Sequence, residues 1–444
     1  MVSKRTIDEI DVHGRRVLVR LDLNVPLDDR QRITDDRRIR AALPTVRKLI
    51  DGGGRLILMS HLGRPTGDRA KDQRYSLRPV ARRMGELLGQ AVRFTEWGEE
   101  GTELRATNAG ARRRHGGTNG ETPDVHLSAE VRSTVDRLKD GECCLLENLR
   151  FVEAETIKDK NAAGDPGLRQ RKDRFAAGLA ELGDVYVNDA FGTCHRDNAS
   201  MLTLPQRMAG RPRVIGYLVE KELKFLGAAL ADPKRPFVVV LGGAKVSDKV
   251  GAIEALLGKC DVILVGGAMA YTFMAADGLE VGKSLVEPDR FDLARRLRAK
   301  AGDKLRLPLD SVAADSIASD AATTVCEGSI PGGMMGLDIG PKTIANYREV
   351  LLTAGTIVWN GPMGVFETPP FDAGTVAIAN ATADATERGA VTIVGGGDSA
   401  AAVEAAGVAD RVSHLSTGGG ASLEFLEGKS FAAIDILDDA SLGE

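Results

Sequence analysis

The 444-residue chain is short of the features that mark several large classes of protein. Its five cysteines, Cys143, Cys144, Cys194, Cys260 and Cys326, include no CxxC pair, and an odd count in a long chain points to reduced thiols, not a disulfide framework. No apolar run approaches the ~18 residues of a membrane span. The first fourteen residues, MVSKRTIDEIDVHG, are charged and lack an apolar centre, so a cytoplasmic protein is expected. Basic excess is missing too. A net charge of −4 leaves no footprint for nucleic acid or an anionic membrane, and the expected partners are small molecules. Aromatic residues make up only 4%, but 43% hydrophobic and 27% charged residues describe an ordinary globular protein, and its length exceeds what one core supports, so two domains are expected.

Three catalytic signatures are also missing. The phosphate loop GxxxxGK[ST] does not occur. VGGGDSA, at 394–400, fails the dinucleotide fingerprint GxGxxG because Ala400 stands where its last glycine would fall, which speaks against a nicotinamide-dependent dehydrogenase. His195-Arg196-Asp197 matches the HRD of a protein-kinase catalytic loop, but that loop needs asparagine five residues after its aspartate, and Leu202 is there.

The most informative stretch is 237–250, FVVVLGGAKVSDKV. Its apolar run suits a buried parallel strand, and Gly242-Gly243 permits a sharp turn with main-chain N–H groups open to an anion. Lys245 and Lys249 lie four apart. In a helix that spacing sets both ammonium groups on one face, as holding a phosphoryl group requires; the plainer reading is a strand end followed by two solvated lysines.

From the start of the chain, strand-like and helix-like stretches alternate. Segment 15–26 ends in Asp22, Asn24 and Pro26, and a helix follows from about Asp36, with Ile39, Leu43, Val46 and Ile50 at helical spacing and Gly52-Gly53-Gly54 to stop it. Segment 55–60 delivers His61, Leu62, Gly63 and Arg64; segment 142–151 delivers Glu147, Asn148 and Arg150; segment 184–200 delivers Asp189, Thr193, His195 and Arg196. In an open parallel sheet the ligand sits beyond the carboxyl ends of the strands. Arg38, His61, Arg64, Arg150 and Arg196 would there form a positive site for a small polyanion, although each alone reads as a surface residue. Segment 98–125 is polar, glycine-rich and aperiodic, and is expected to be a surface insertion. The second half, from about Gly216, repeats the pattern. Strand-like runs at 237–241, 261–265, 305–308, 356–359 and 391–394 mostly end at glycine, which lets backbone approach a nucleotide. Asp398 reads either as a carboxylate beside a metal or as a helix N-cap.

Together VRLDLNVP, SHLGRP, LLENLRF, NDAFGTCHR, GGAKVSDK, WNGPMGVFE, VGGGDSA and SHLSTGGGASLEFLEGK closely resemble the phosphoglycerate kinase family, over nearly the whole chain apart from the insertion. The resemblance implies α/β architecture with two doubly wound parallel-sheet domains joined by a hinge: 1–210 binding phosphoglycerate, 216–414 binding nucleotide, and 415–444 returning to the first domain. It implies magnesium-dependent phosphoryl transfer between 1,3-bisphosphoglycerate and ADP, giving 3-phosphoglycerate and ATP, by a monomer that closes about its hinge. It assigns Asp22, Asn24, Arg38, His61, Leu62, Gly63, Arg64, Arg150 and Arg196 to the phosphoglycerate. Lys245 and Lys249 go to the transferring phosphoryl group and nucleotide phosphates. Gly266, Gly267, Gly336 and Glu367 fall to adenosine, and Gly396, Gly397, Asp398 and Ser399 to the phosphates and Mg2+; Arg38, Lys245, Lys249 and Gly397 are the catalytic set. Asn198, Ala268 and Ser399 depart from the usual histidine, glycine and threonine of the family motifs. A non-catalytic member would be expected to lose Arg38, Lys245 or Asp398, and all three are present.

Overall fold

The computed structural model describes residues 3–97 and 127–440; the expected insertion at 98–125 lies outside the described residues. Two compact units are formed, one by Met1–Lys221 with Ser430–Glu444, the other by Glu222–Lys429. The boundary between them falls within the helix Tyr217–Ala231.

In the first unit, β1 (Arg16–Leu21), β2 (Arg55–Met59), β3 (Val92–Thr95), β4 (Cys143–Leu146), β5 (Val185–Asp189) and β6 (Arg213–Ile215) pair in parallel in the order β3-β4-β2-β1-β5-β6. Helices cover a parallel sheet on both faces, so its strands read as continuous apolar runs, not alternating ones. β1, β2 and β4 are buried at nearly every position. The chain winds from β1 toward β3 in one direction and from β5 to β6 in the other, and the reversal opens a crevice between the carboxyl ends of β1 and β5. The helix Arg37–Asp51 buries Ile39, Leu43, Val46 and Leu49 against this sheet. Residues from Ser430 close the unit's edge. Arg213 pairs with Asp438 at 2.9 Å, Lys4 with Asp439 at 2.7 Å, and the Phe431 ring meets Phe191 edge-on at 6.0 Å.

The second unit repeats the plan with β7 (Phe237–Leu241), β8 (Val262–Val265), β9 (Leu305–Arg306), β13 (Thr356–Asn360), β14 (Val391–Gly395) and β15 (His414–Leu415), in the order β15-β14-β13-β7-β8-β9. Its reversal lies between β7 and β13, at the ends bearing Gly242 and Asn360. A separate antiparallel sheet, β11-β10-β12, is built from β10 (Asp310–Ala314), β11 (Thr324–Glu327) and β12 (Met335–Ile339). Segment 415–429, expected in the returning tail, packs within this unit: Glu222 accepts hydrogen bonds from the Ser416 hydroxyl at 3.0 Å and from Thr417 N at 2.9 Å. All five cysteines are free and buried.

Candidate functional site

The first unit gathers its polar residues at the carboxyl ends of β1, β2 and β4 and just past β5. Arg38 lies in the first turn of the helix Arg37–Asp51 and forms an ion pair with Asp22, which follows β1. Positive charge at a helix N-terminus opposes the macrodipole, and carboxylates offset it: Asp35 pairs with Arg37, and Asp36 holds Arg40 and Arg83, each at 2.8 Å. Burial pushes the Asp22 carboxyl up, but the charge and hydrogen bond of Arg38, with the charge of Arg20, outweigh it and hold Asp22 at about 2.

The turn after β2 is fixed from both sides. Asn24 Oδ1 accepts from Gly63 N at 2.8 Å, while Asn148 accepts from Leu62 N at 3.2 Å and donates to Leu62 O at 2.7 Å. Gly63 has a φ of +58°, and a Cβ there would fall 2.3 Å from the Tyr75 ring, so no other residue fits. Its carbonyl accepts from Arg150, whose guanidinium is buried beside Arg196 and Arg20 and is lowered to about 10, so it stays protonated at neutral pH. Arg64 remains exposed and Arg196 half-buried.

His61, the potentially positive member of the expected set, is neutral. The ring is only 4% exposed, and burial, with Arg20, Arg150 and Arg196 nearby, drives its pKa well below the ordinary value against the pull of Asp22. A buried guanidinium, Arg20 Nη2, stands 3.3 Å from His61 Nδ1. Because guanidinium only donates, Nδ1 accepts and the ring proton is on Nε2. The site therefore contains a neutral donor in place of a fifth cation. Arg20 is a residue of this candidate site that sequence reasoning passed over, whereas Asn148 was read at its strand end without a role. An arginine in the middle of an apolar strand, VLVRL, was the available signal for Arg20.

In the second unit the glycines after β7 do not serve as expected. Gly242 N donates to Asn360 O at 3.0 Å and Gly243 N to Pro362 O at 3.1 Å, so neither N–H is open to an anion. A Cβ on Gly242 would fall 2.0 Å from Pro362 O; glycine is needed because two protein backbones meet there. The lysine pair is corrected as well. Residues 243–249 are bends and turns braced by Glu287, which accepts from the Ser247 hydroxyl at 2.6 Å, and the helix Val250–Leu257 begins only after Lys249. Lys245 is exposed. Lys249 is half-buried and donates to Asn360 Oδ1; desolvation lowers its ammonium, with Asp248 and Asp398 opposing. Asn360 also donates to Gly395 O at 2.9 Å, tying Lys249 to the end of β14.

Gly266, Gly267, Gly336 and Glu367 are linked through the 361–367 loop. A Cβ on Gly266 would lie 2.5 Å from Met363 Sδ, and Gly267, with a φ of +68°, donates to Met363 O at 2.8 Å. Val365 N bonds Leu337 O at 2.8 Å, joining that loop to β12 next to Gly336. Gly336 faces Tyr271, where a Cβ would fall 2.2 Å from the ring, and Glu367 is exposed.

The helix Gly397–Ala405 is different. Its cap is Gly396, with a φ of +99°, and its first main-chain bond is Ala400 N to Gly396 O at 3.0 Å. The N–H groups of Gly397, Asp398 and Ser399 thus have no acceptor within the helix, and a Cβ on Gly397 would meet nothing within 4 Å. An open helix N-terminus suits phosphate. Asp398 is exposed in the first turn, so the N-cap alternative falls away. The Ser399 side chain is fully buried, and its hydroxyl accepts from Gly361 N at 2.6 Å, so it holds the 361 loop and only its N–H faces the helix end.

The phosphoglycerate kinase family model matches residues 7–429. The chain is 52% identical over 442 residues to a phosphoglycerate kinase of Rhodopirellula baltica, covering 99% of this chain and 100% of that one. It is 47% identical over 441 residues to one of Lactobacillus acidophilus, with the same coverage. Among solved structures, the phosphoglycerate kinase of Coxiella burnetii superposes with a TM-score of 0.77 at 36% identity over 98% of both chains, and that of Pyrococcus horikoshii with 0.77 at 30% identity over 97% of this chain and 98% of its own. With that agreement along the whole chain, and two parallel sheets whose strand ends present a basic site in one unit and an open helix terminus in the other, the chain belongs to the phosphoglycerate kinase family.

Proposed function

We infer that the protein transfers a phosphoryl group reversibly from 1,3-bisphosphoglycerate to ADP, giving 3-phosphoglycerate and ATP. Beyond family membership, the observation that carries this is the gathering of Arg38, Arg150 and Arg196 around Asp22 and a neutral His61. Arginine forks suit a ligand with a carboxylate and a phosphate. Arg64, Asn24, Leu62 and Gly63 complete the site, and the first unit is the phosphoglycerate domain of this reading. His61 donates through Nε2 without adding charge, and Asp22 aims Arg38 at the reacting phosphoryl group.

The second unit is read as the nucleotide domain. Gly266, Gly267, Gly336 and Glu367 line the adenosine, and the N–H groups of Gly397, Asp398 and Ser399, following Gly396, receive the phosphates. Lys249 and Lys245 supply positive charge to the equatorial oxygens in flight, so that oxygen of the ADP β-phosphate attacks as the acyl-phosphate bond breaks, with no covalent protein intermediate. Hinge closure, implied by the resemblance, is the step that brings acceptor and donor together and excludes water from the acyl phosphate.

The residues present fit Mg2+. Asp398 is exposed, and no group of three or more histidine, cysteine, aspartate or glutamate residues able to hold a metal exists among the described residues. Asp398, in the first turn of the helix Gly397–Ala405, would hold the cation together with waters and the nucleotide phosphates. When bound, it neutralises charge between the phosphates. A cytoplasmic monomer is proposed from the five free thiols and the family; among the described residues, no helix is long and apolar enough to cross a membrane.

The test is a coupled assay with 3-phosphoglycerate, ATP and magnesium, reading ADP formation. Turnover that depends on all three is expected. ADP formation that is independent of 3-phosphoglycerate would overturn the reading.

A further inference from the structure

Behind the basic site lies a chain of buried polar groups that the reaction itself does not use. Glu155 and Ser200 are fully buried and Arg20 is 1% exposed. Glu155 accepts from the Ser200 hydroxyl at 2.7 Å and from Ser200 N at 2.9 Å. The Ser200 oxygen in turn accepts from Arg20 Nε at 3.0 Å. Arg20 Nη1 donates to Leu21 O, and Nη2 faces His61 Nδ1 at 3.3 Å. The Tyr186 hydroxyl donates to Ser200 O at 2.9 Å, which fixes the backbone that carries the serine.

We propose that Glu155 and Ser200 are positioning residues for phosphoglycerate binding: they hold Arg20 so that its guanidinium donates to His61 Nδ1, which keeps the His61 proton on Nε2 as the donor for the ligand. This rests on the first unit being the phosphoglycerate site.

The geometry admits little else. Each hydrogen in the chain has one direction. Arg20 can only donate, so the serine oxygen accepts from Nε and the serine hydrogen goes to the Glu155 carboxyl oxygen, whose pKa burial raises; for the same reason His61 Nδ1 must accept from Nη2. Each link fixes the next. Without Glu155 the serine hydroxyl is free to rotate, Arg20 loses the group that directs Nε, and the guanidinium can turn toward other carbonyls. A buried charged group without its partner is strongly disfavoured, so Arg20 would move rather than stay unpaired. His61 would then be free to take either tautomer, and part of its population would present a lone pair, not a donor, toward an anionic ligand. Three charged or hydroxyl side chains sealed from water are a poor way to stabilise a core, since apolar residues of similar volume usually do as well. Their use here is understandable if what they supply is direction.

The experiment compares Glu155→Gln and Ser200→Ala with the wild-type full chain in three measurements. The first is KM for 3-phosphoglycerate and for ATP separately. The second is the melting temperature without ligand. The third is the 15N spectrum of histidine-labelled protein, in which His61, one of six histidines, is assigned by its loss in His61→Gln. The expected result is a KM for 3-phosphoglycerate raised about 10-fold, a KM for ATP within about twofold, and a His61 signal that leaves the Nε2–H pattern in both variants. Glu155→Asp, which keeps the charge on a shorter stem, should recover part of the loss. Unchanged KM for 3-phosphoglycerate with the wild-type tautomer in well-folded Glu155→Gln would overturn the proposal, as would a fall in melting temperature alone. If wild-type protein itself does not bind 3-phosphoglycerate in a titration, the assignment of the first unit fails instead, a different outcome. Should Glu155→Gln not fold, Ser200→Ala, which removes one oxygen and leaves the charge, carries the same test.

Discussion

Replacing Arg38 with alanine should produce two separable losses. Asp22, whose side chain is 9% exposed, sits at about 2 in the folded protein against an ordinary value of 3.8, because Arg38 and its neighbours overcome the effect of burial. That difference, at about 1.4 kcal/mol per pH unit, is worth about 2.5 kcal/mol, most of it from Arg38, the leading charge beside Asp22. A depressed carboxyl contributes stability above its unfolded value and loses it as pH falls through the folded one. Arg38→Ala should therefore cost about 2 kcal/mol evenly from pH 8 down to pH 4, and the gap to wild type should narrow only below that. For a unit of this size the shift is roughly 4–8 °C in melting temperature. Turnover should fall much further, by the order of 10²–10⁴ expected for removing a charge that acts on the transition state, with little change in ATP affinity. Urea unfolding across pH 4–8 reads the first loss and steady-state kinetics the second. Arg38→Lys separates them: the charge should restore most of the stability, but a point charge cannot reproduce the fork, so turnover should stay low. Wild-type unfolding midpoints in Arg38→Ala would refute the electrostatic reasoning, and near-normal turnover would refute the role in transfer.

Asp398→Asn should leave the ligand-free melting temperature almost unchanged, since the exposed carboxylate caps nothing, while turnover drops and its response to magnesium weakens; matching magnesium titrations in variant and wild type would return Asp398 to a solvated surface position. Two alanine substitutions should behave oppositely. Gly242→Ala drives a Cβ to 2.0 Å from Pro362 O and should destabilise the second unit by about 3 kcal/mol, whereas Gly397→Ala meets nothing within 4 Å and should keep the melting temperature but raise KM for ATP by crowding the helix terminus; equal melting temperatures for both would contradict the close approach at Gly242. Finally, burial pushes Asp189 up to about 7, although Leu218 N and Val219 N donate to it. A raised carboxyl contributes stability below its unfolded value and loses it as pH rises through the folded one, so wild type should lose stability between pH 4 and pH 8 relative to Asp189→Asn, which keeps the accepting oxygen; parallel pH profiles would count against a buried, titrating Asp189.

The sequence alone determined the α/β architecture of both units. Strand, helix and turn depend on a residue's neighbours within a few positions, so the apolar runs of β1, β2, β4, β5 and β7 and the helical spacing from Ile39 to Ile50 could be read directly. The motif residues are likewise local: His61 to Arg64 lie together because they follow one strand. Weaker local signals were lost. β3 is only partly buried, β6 has three residues, and the β10, β11 and β12 layer is made of short strands with no clean alternation.

Tertiary structure decided the state of each group. Arg20 reaches Ser200 across 180 positions and His61 across 41, so no local pattern announces which groups this arginine joins or that the histidine is neutral. The N–H groups of Gly242 and Gly243 look open in sequence and are taken by Asn360 and Pro362, which arrive only when β13 pairs with β7. Ser399 keeps a hydroxyl that the sequence offers to a nucleotide and the fold gives to Gly361. Desolvation and hydrogen-bond occupancy depend on everything that surrounds a group, and distant segments supply those surroundings only once the chain has closed on itself.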